Sequence, residues 1–380
     1  MGTASTPSPQ IRVGIVTAPH IDYETSEHNG QPTFVLHGVR IGIGFHWDRE
    51  ETQEFAGTLH IIRNADDTET AVNEIGLEDY LVSVISSEMS SDSPIELLKA
   101  HAVISRSWAM RAIAANRASA GSLRQTAYES NGHIGYDVCA DDHCQRYEGI
   151  RKINERAVSA VRATAGQVLT YQGEVCDTRF YKCCGGRTEV FSTCWEDKDV
   201  PYLQSVECPY CQRAVERLKR NEPAILHCLI HYDQQTRDAH DWTVAYTQAE
   251  LQSILQEKAG IDVGSIRHLH PLQRGASGRI YSLQIEGETG SIVLGKELKI
   301  RRALSRSCLY SSWFTVEEQP AERPERFVLH GHGWGHGVGL CQLGAAEMVL
   351  EGKQYEDILA YYYPNSELSN LGEQAPQNSL

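Results

Sequence analysis

A carboxylate that closes an otherwise apolar helical stripe is the first residue whose position suggests chemistry. In LEDYLVSVISSEM, Leu81, Val84, Ile85 and Glu88 fall at i, i+3, i+4 and i+7, so Glu88 lies on the face that a helix buries. Glutamate is rarely buried unless it is paired or working. In the helix that follows, Lys99 and Arg106 are seven positions apart, and their shared face can look back at Glu88. A half-buried carboxyl with cations nearby suits a general acid, because burial raises its pKa while the cations limit the rise. Taken alone, the stretch also reads as a helix end with a solvated glutamate and an ordinary salt bridge.

Three other constellations carry chemistry. His133, Cys139, His143 and Cys144 offer four nitrogen and sulfur ligands within twelve positions, the donor set that zinc prefers. A Cys139–Cys144 disulfide with two loop histidines is the alternative, and the number of candidate ligands favours zinc. In HGHGWGHGVG the five glycines Gly331, Gly333, Gly335, Gly337 and Gly339 alternate with other residues. Extended, they share one face open to close approach, with His330, His332, Trp334 and His336 on the other. A metal site from alternate histidines or a glycine-rich packed strand would both fit. Cys208-Pro209-Tyr210-Cys211 matches the CPYC of glutaredoxins, but no thioredoxin-like βαβ set surrounds it. A structural disulfide, or a second metal site with Cys183, Cys184 or Cys194, is the better reading. GxSxG, HExxH, GxGxxG and the phosphate loop are all absent, leaving Glu88 as the best candidate for chemistry.

These residues need elements to position them. Residues 77–110 read as two helices joined by the polar turn Ser90-Ser91-Asp92-Ser93, with Pro94 at the first helical position. Before them, runs at 11–16, 33–36, 39–45 and 57–62 read as strands, separated by the turn signals Asn29-Gly30 and His37-Gly38. Residues 115–150 read as a long loop, and loops of that length are usually functional. A helix over 153–165 stopping at Gly166 and a hairpin turning at Gln172-Gly173 follow. Helices are expected at 212–220, 248–258, 342–351 and about 355–362, and a second hairpin at 283–294.

This pattern predicts an α+β fold: mixed helices and antiparallel sheets around a substrate cleft, with an inserted subdomain. The expected divisions are a disordered 1–10, a β region at 11–74, a catalytic core with the zinc loop at 75–204, an inserted α+β subdomain at 205–310, a return to the core at 311–370, and a disordered tail at 371–380. The net charge of −15 argues against a nucleic acid partner, whose binding surfaces cluster lysine and arginine. No run approaches the ~20 apolar residues of a membrane span. The eleven cysteines form an odd set, so at least one is unpaired or a metal ligand. The first ten residues lack the apolar core of a signal peptide, which fits a protein that is not exported or one already processed.

Taken together, LEDYLVSVISSEM, LLKAHAVISRSWAM, YDVCADDHCQRY, AVRATAGQVLTY, CCGGRTEV, HGHGWGHGVGLCQLGAAEM and ILAYYYP resemble, in order, the family of stage II sporulation protein D and the LytB amidase enhancer. The resemblance implies a lytic transglycosylase that cuts the MurNAc–GlcNAc β-1,4 bond of peptidoglycan glycan strands, especially strands stripped of stem peptides, and leaves 1,6-anhydroMurNAc ends. It puts the catalytic glutamate at Glu88 and a zinc on His133, Cys139, His143 and Cys144. Lys99, Arg106, Tyr136, Arg187, His336 and Gln342 would bind substrate in the same cleft. It also implies export to the cell envelope or periplasm, and a cell-wall amidase as a possible partner. Two alternatives stay open: a non-catalytic glycan-binding enhancer of an amidase, and a zinc-dependent N-acetylmuramoyl amidase with Glu88 as base. The chain departs from the family at His101, where glutamine is common, and at Cys183-Cys184, where serines are.

Overall fold

A computed structural model describes residues 9–119, 133–230, 240–321 and 323–371. Most of the two tails expected to be disordered, and 120–132 of the expected loop, lie outside the described residues. The N-terminal half starts with β1 (Gln10–Ala18), β2 (Tyr23–His28), β3 (Gln31–Ile41), β4 (Arg49–Ala56), β5 (Thr58–Arg63) and β6 (Glu69–Gly76). The helices α1 (Leu77–Glu88) and α2 (Ile95–Ser119) follow, then β7 (Val138–Cys139) and α3 (Glu155–Ala163). One sheet runs β5-β6-β1-β7, and β2-β3-β4 forms another. The hairpin at Asn29-Gly30 forms as expected, both residues having positive φ (51° and 74°). His37-Gly38 is not a turn. It is a bulge inside β3, where the pairing with β4 shifts between Leu36 and Val39.

The central element is α2. Every residue from Ala100 to Ala109 is buried, as in a helix with packing partners all round. Leu98, Ala102 and Ala109 belong to one core with β1, β3 and α1. Leu97, Ala100, Val103 and Ile104 belong to a second. That helix also runs further than expected and takes up the start of the supposed loop.

The remainder of the chain supplies β8 (Gln167–Tyr171), β9 (Glu174–Val175), β10 (Phe180–Tyr181), α4 (Phe191–Cys194), α5 (Pro209–Lys219) and α6 (Pro223–Leu226). Then come β11 (Asp241–Thr247), α7 (Gln248–Ala259), β12 (Ile266–Arg274), β13 (Ile280–Gly287), β14 (Ser291–Gly295) and α8 (Glu297–Ala303). The chain closes with β15 (Phe314–Gln319), β16 (Arg326–His332), β17 (Leu340–Cys341), α9 (Gln342–Leu350), α10 (Tyr355–Tyr362) and β18 (Glu367–Asn370). A third core gathers residues from Trp242 to Leu329 between the sheets β11-β16-β15 and β12-β13-β14. It therefore starts later than residue 205 and takes in β15 and β16. Helix α5 packs instead on α9 in the second core.

The glycine-rich stretch is extended only as far as His332. Gly333, Gly335, Gly337 and Gly339 all have positive φ, between 75° and 100°, so the expected single glycine face does not form. A side chain at Gly339 would stand 2.0 Å from the Arg179 carbonyl oxygen. The glycines serve a ribbon folded against its neighbours.

Candidate active site and metal centre

Glu88 is the last residue of α1. Ser86 and Ser87 turn their hydroxyls back to the Val82 and Ser83 carbonyls, and Ser83 donates to Gly149 O at 2.6 Å. The helix end is thereby fixed. Glu88 is half-buried and faces a cleft of about 430 Å³. Its Oε1 accepts the backbone N–H of Arg146 at 2.9 Å, its one hydrogen bond among the described residues. Burial pushes its pKa up; the Arg146 guanidinium and N–H and the Lys182 ammonium pull it down, while Asp142 adds to the rise. The C-terminal end of a helix carries partial negative charge, which also disfavours the ionised form. The result is a carboxyl that holds its proton above the ordinary range without losing the ability to ionise.

The cations are not those expected from the sequence. Lys99 pairs with Glu96 at 2.7 Å and lies over the Tyr355 ring. Arg106 is fully buried and clamps Glu78 through Nε (2.8 Å) and Nη2 (2.6 Å), while its Nη1 donates to Gln167 O. Neither lines the cleft. Lys99 and Arg106 do share a face of α2, but that face turns to α1's first turn and to the C-terminal helices. Arg187 pairs with Glu207 near the surface, also away from the cleft. Tyr136 packs on Gly14 and lies 5.0 Å from the His133 ring, beside the candidate metal ligands. These are corrections to the expected substrate-binding set.

His336 and Gln342 do line the cleft. Burial, with Arg179, Arg301 and Arg279 nearby, keeps His336 neutral, and its Nδ1 accepts the Val338 N–H at 3.0 Å. Nε2 of Gln342 is buried with no partner among the described residues, as is the Tyr181 hydroxyl, which also lines the cleft. Both atoms are buried donors without a partner among those residues, a costly state in a folded protein. The aromatic walls are Trp47, Trp195 and Trp334. Trp47 stacks on Phe45 at 4.6 Å and donates from Nε1 to Asp142 at 2.7 Å. His330 and His332 bond to Glu317 and Asp241 at the surface, and none of the three histidines in the stretch joins a metal-ligand group among the described residues.

The donor atoms of His133, Cys139, His143 and Cys144 all lie within 4.8 Å of one another. The loop is pinned to β1, where Val138 and Cys139 pair in parallel with Val13 and Gly14. It closes on itself through Tyr147 N–H to Ala140 O at 3.0 Å. The Cys139 N–H donates to Cys144 Sγ at 3.4 Å, an arrangement that stabilises thiolate. Hydrogen bonding with Cys144, opposed by burial and helped by His133 and His143, holds the Cys139 thiol down to about 2. The residues fit a tetrahedral zinc with no position left for water. The same loop carries Arg146 to Glu88, and Asp142 holds the Arg146 guanidinium at 2.7 Å. Arg146, Lys182 and Asp142 were missed from sequence. Only their place in YDVCADDHCQRY and beside CCGG hinted at them.

Comparison with known proteins places the chain in a family. A family model described as stage II sporulation protein matches residues 65–171, which contain α1, α2 and the metal loop. A domain of unknown function matches 189–339. An uncharacterised protein of Brachyspira hyodysenteriae is 30% identical over 314 residues, 82% of this chain and 71% of the relative. The chain belongs to the family of stage II sporulation protein D and the LytB amidase enhancer. Stage II sporulation protein D of Bacillus subtilis is 26% identical over 79% of this chain and 76% of its own length. The amidase enhancer of the same organism is 25% identical over 76% of this chain, but over only 40% of its own length. Membership fits a role connected with cell-wall glycan. No helix among the described residues is long and apolar enough to cross a membrane. His101, in α2, is fully buried, with both ring nitrogens unpartnered among the described residues. Burial first, then Lys182, pushes its pKa down to about 3, so it is a neutral part of the core.

Proposed function

We propose that the protein is a lytic transglycosylase acting on peptidoglycan glycan strands. The observation that carries this reading is Glu88, a proton-retaining carboxyl in a cleft with aromatic walls and two cations beside it. As acid it gives its proton to the glycosidic oxygen between MurNAc and GlcNAc, and the bond from that oxygen to C1 breaks. As carboxylate, steadied by Arg146 and Lys182, it takes the proton of the C6 hydroxyl whose oxygen attacks C1. One carboxyl serves both steps because the nucleophile belongs to the substrate, unlike the carboxylate pair of hydrolytic glycosidases. The other acids near Glu88 are engaged: Asp142 by Arg146 and Trp47, Asp141 by the Gly42 N–H, and Glu297 by Arg301. The tryptophans supply surfaces on which sugar rings stack.

Zinc on His133, Cys139, His143 and Cys144 would be structural, holding the loop that presents Arg146. Four protein ligands argue against a zinc amidase, which needs an open position. The likeness to a protein named amidase enhancer supports a second reading, a glycan-binding activator of a cell-wall amidase. Mass spectrometry of products from denuded and peptide-bearing peptidoglycan separates them. Anhydro ends that disappear in Glu88→Gln support the transglycosylase. Reducing ends would mean hydrolysis. Bound glycan without products, together with a stimulated amidase, would mean the enhancer.

A further inference from the structure

A second cluster of ligands lies outside the cleft and is absent from the chemistry above. The sulfurs of Cys184, Cys208, Cys211 and Cys341 all lie within 4.8 Å of one another, and all four residues are buried. Cys184 and Cys211 approach to 3.1 Å, too far for the ~2.05 Å of a disulfide. We propose that these four cysteines bind one tetrahedral zinc ion, a structural site separate from the His133–Cys144 centre and independent of the reaction at Glu88.

The surroundings are built for thiolates. Cys208 caps α5 and Cys211 lies in its first turn. Cys341 caps α9. Two helix N-termini of nine or more residues therefore aim their partial positive charge at the cluster. Backbone N–H groups point at the sulfurs: Cys184 N–H to Cys341 Sγ at 3.3 Å, Gly186 N–H to Cys184 Sγ at 3.3 Å, and Gly344 N–H to Cys341 Sγ at 3.4 Å. The Tyr362 hydroxyl lies 3.1 Å from Cys208 Sγ. Gly344 keeps the space open, since a side chain there would come within 2.7 Å of Cys208 Sγ. Zinc–sulfur bonds of about 2.3 Å place tetrahedral ligands about 3.8 Å apart, a spacing that falls between the 3.1 Å of Cys184 to Cys211 and the 4.8 Å that bounds the cluster. Sulfur-only tetrahedral coordination, with two of the four from a CxxC, is a zinc arrangement.

The ion would join three stretches far apart in sequence: the turn after β10, the start of α5, and the junction of β17 with α9. Two of these carry cleft residues. Tyr181 pairs with Cys341 in the β10–β17 ladder, Lys182 O accepts the Leu343 N–H at 3.1 Å, and Gln342 follows Cys341 directly. The site therefore braces the part of the cleft wall that carries Tyr181, Lys182 and Gln342.

The test is metal content of the full chain, purified without chelator or added metal, by elemental mass spectrometry. Alongside it, the chain is denatured in chelator without reductant and alkylated. Two zinc ions per chain and alkylation of all eleven cysteines are expected. Cys208→Ser/Cys211→Ser should lose one zinc equivalent, and His133→Ala/Cys144→Ser the other. If only one zinc is present, its loss in the first variant and retention in the second still upholds the four-cysteine site while removing the other. Cobalt loaded into the wild-type chain reads the same site without any variant that must fold, through the intense bands of a tetrathiolate. A Cys208–Cys211 or Cys184–Cys341 disulfide, iron in place of zinc, or zinc lost only with His133 and Cys144 would overturn the proposal.

Discussion

At the scale of the residue, the position of Glu88 has a consequence for stability that is separate from activity. Its folded pKa is raised by burial, so the folded state binds more protons than the unfolded one between the ordinary carboxyl value and the raised one. Stability from this group is full below that window and is lost as pH rises through it. Glu88→Gln should abolish bond cleavage yet raise the melting temperature at neutral pH, with the gain vanishing at acid pH; calorimetry across pH checks it. A melting temperature lowered equally at every pH would contradict the assignment of burial as the dominant influence. Arg146 acts in the opposite sense, pulling the Glu88 pKa down. Arg146→Met should therefore move the alkaline limb of the activity profile to higher pH, because Glu88 then keeps its proton longer. A profile unmoved while kcat falls would reduce Arg146 to packing.

At the scale of the element, α2 illustrates how spacing and destination differ. Its heptad pair Lys99 and Arg106 is legible in the sequence, but the helix is buried all round, and nothing local says which neighbour each face meets. Arg106 meets Glu78, with the arginine side chain wholly inaccessible. Glu78 is 30% exposed and stays partly solvated without its partner, while the Gln167 carbonyl loses its donor, so Arg106→Met should cost about 1–3 kcal/mol in urea denaturation, with kcat/KM per folded molecule unchanged. A large rise in KM instead would return Arg106 to substrate binding. The glycine ribbon gives the second case. Gly339→Ala puts a side chain against the Arg179 carbonyl at a φ of +80°, and the left-handed backbone alone costs about 1–2 kcal/mol. The melting temperature should fall by at least that equivalent.

At the scale of the whole molecule, the cleft draws its walls from distant stretches of the chain: Glu88 from α1, Trp47 from between β3 and β4, Tyr181 and Gln342 from β10 and α9, and Glu297 and Arg301 from α8. Such a site depends on its fastenings. The metal loop reaches Glu88 through one backbone hydrogen bond at Arg146. On the proposed zinc site, chelator treatment of the chain should raise amide exchange at Arg146 and lower activity together, whereas a site that holds no metal would leave both unchanged. Unchanged exchange at Arg146 in the metal-free protein would show that the loop holds itself.

The sequence by itself determined the α+β class and most helix and strand positions, and it picked out Glu88, which the fold places in the cleft, and His133, Cys139, His143 and Cys144, whose donor atoms the fold gathers. Those are local patterns: helical periodicity, turn residues, and ligands close enough along the chain to meet whatever the fold does. It also marked CPYC as structural rather than redox-active, but looked for its partners at Cys183, Cys184 and Cys194, when Cys184 and Cys341 are the ones that arrive. Only the tertiary structure decided that, since Cys341 is more than a hundred positions away and reaches the cluster through the parallel β10–β17 pairing. The same reason covers the cations. Arg146 and Lys182, rather than Lys99 and Arg106, tune Glu88 because long-range packing, not spacing along one helix, sets which charges share a cleft.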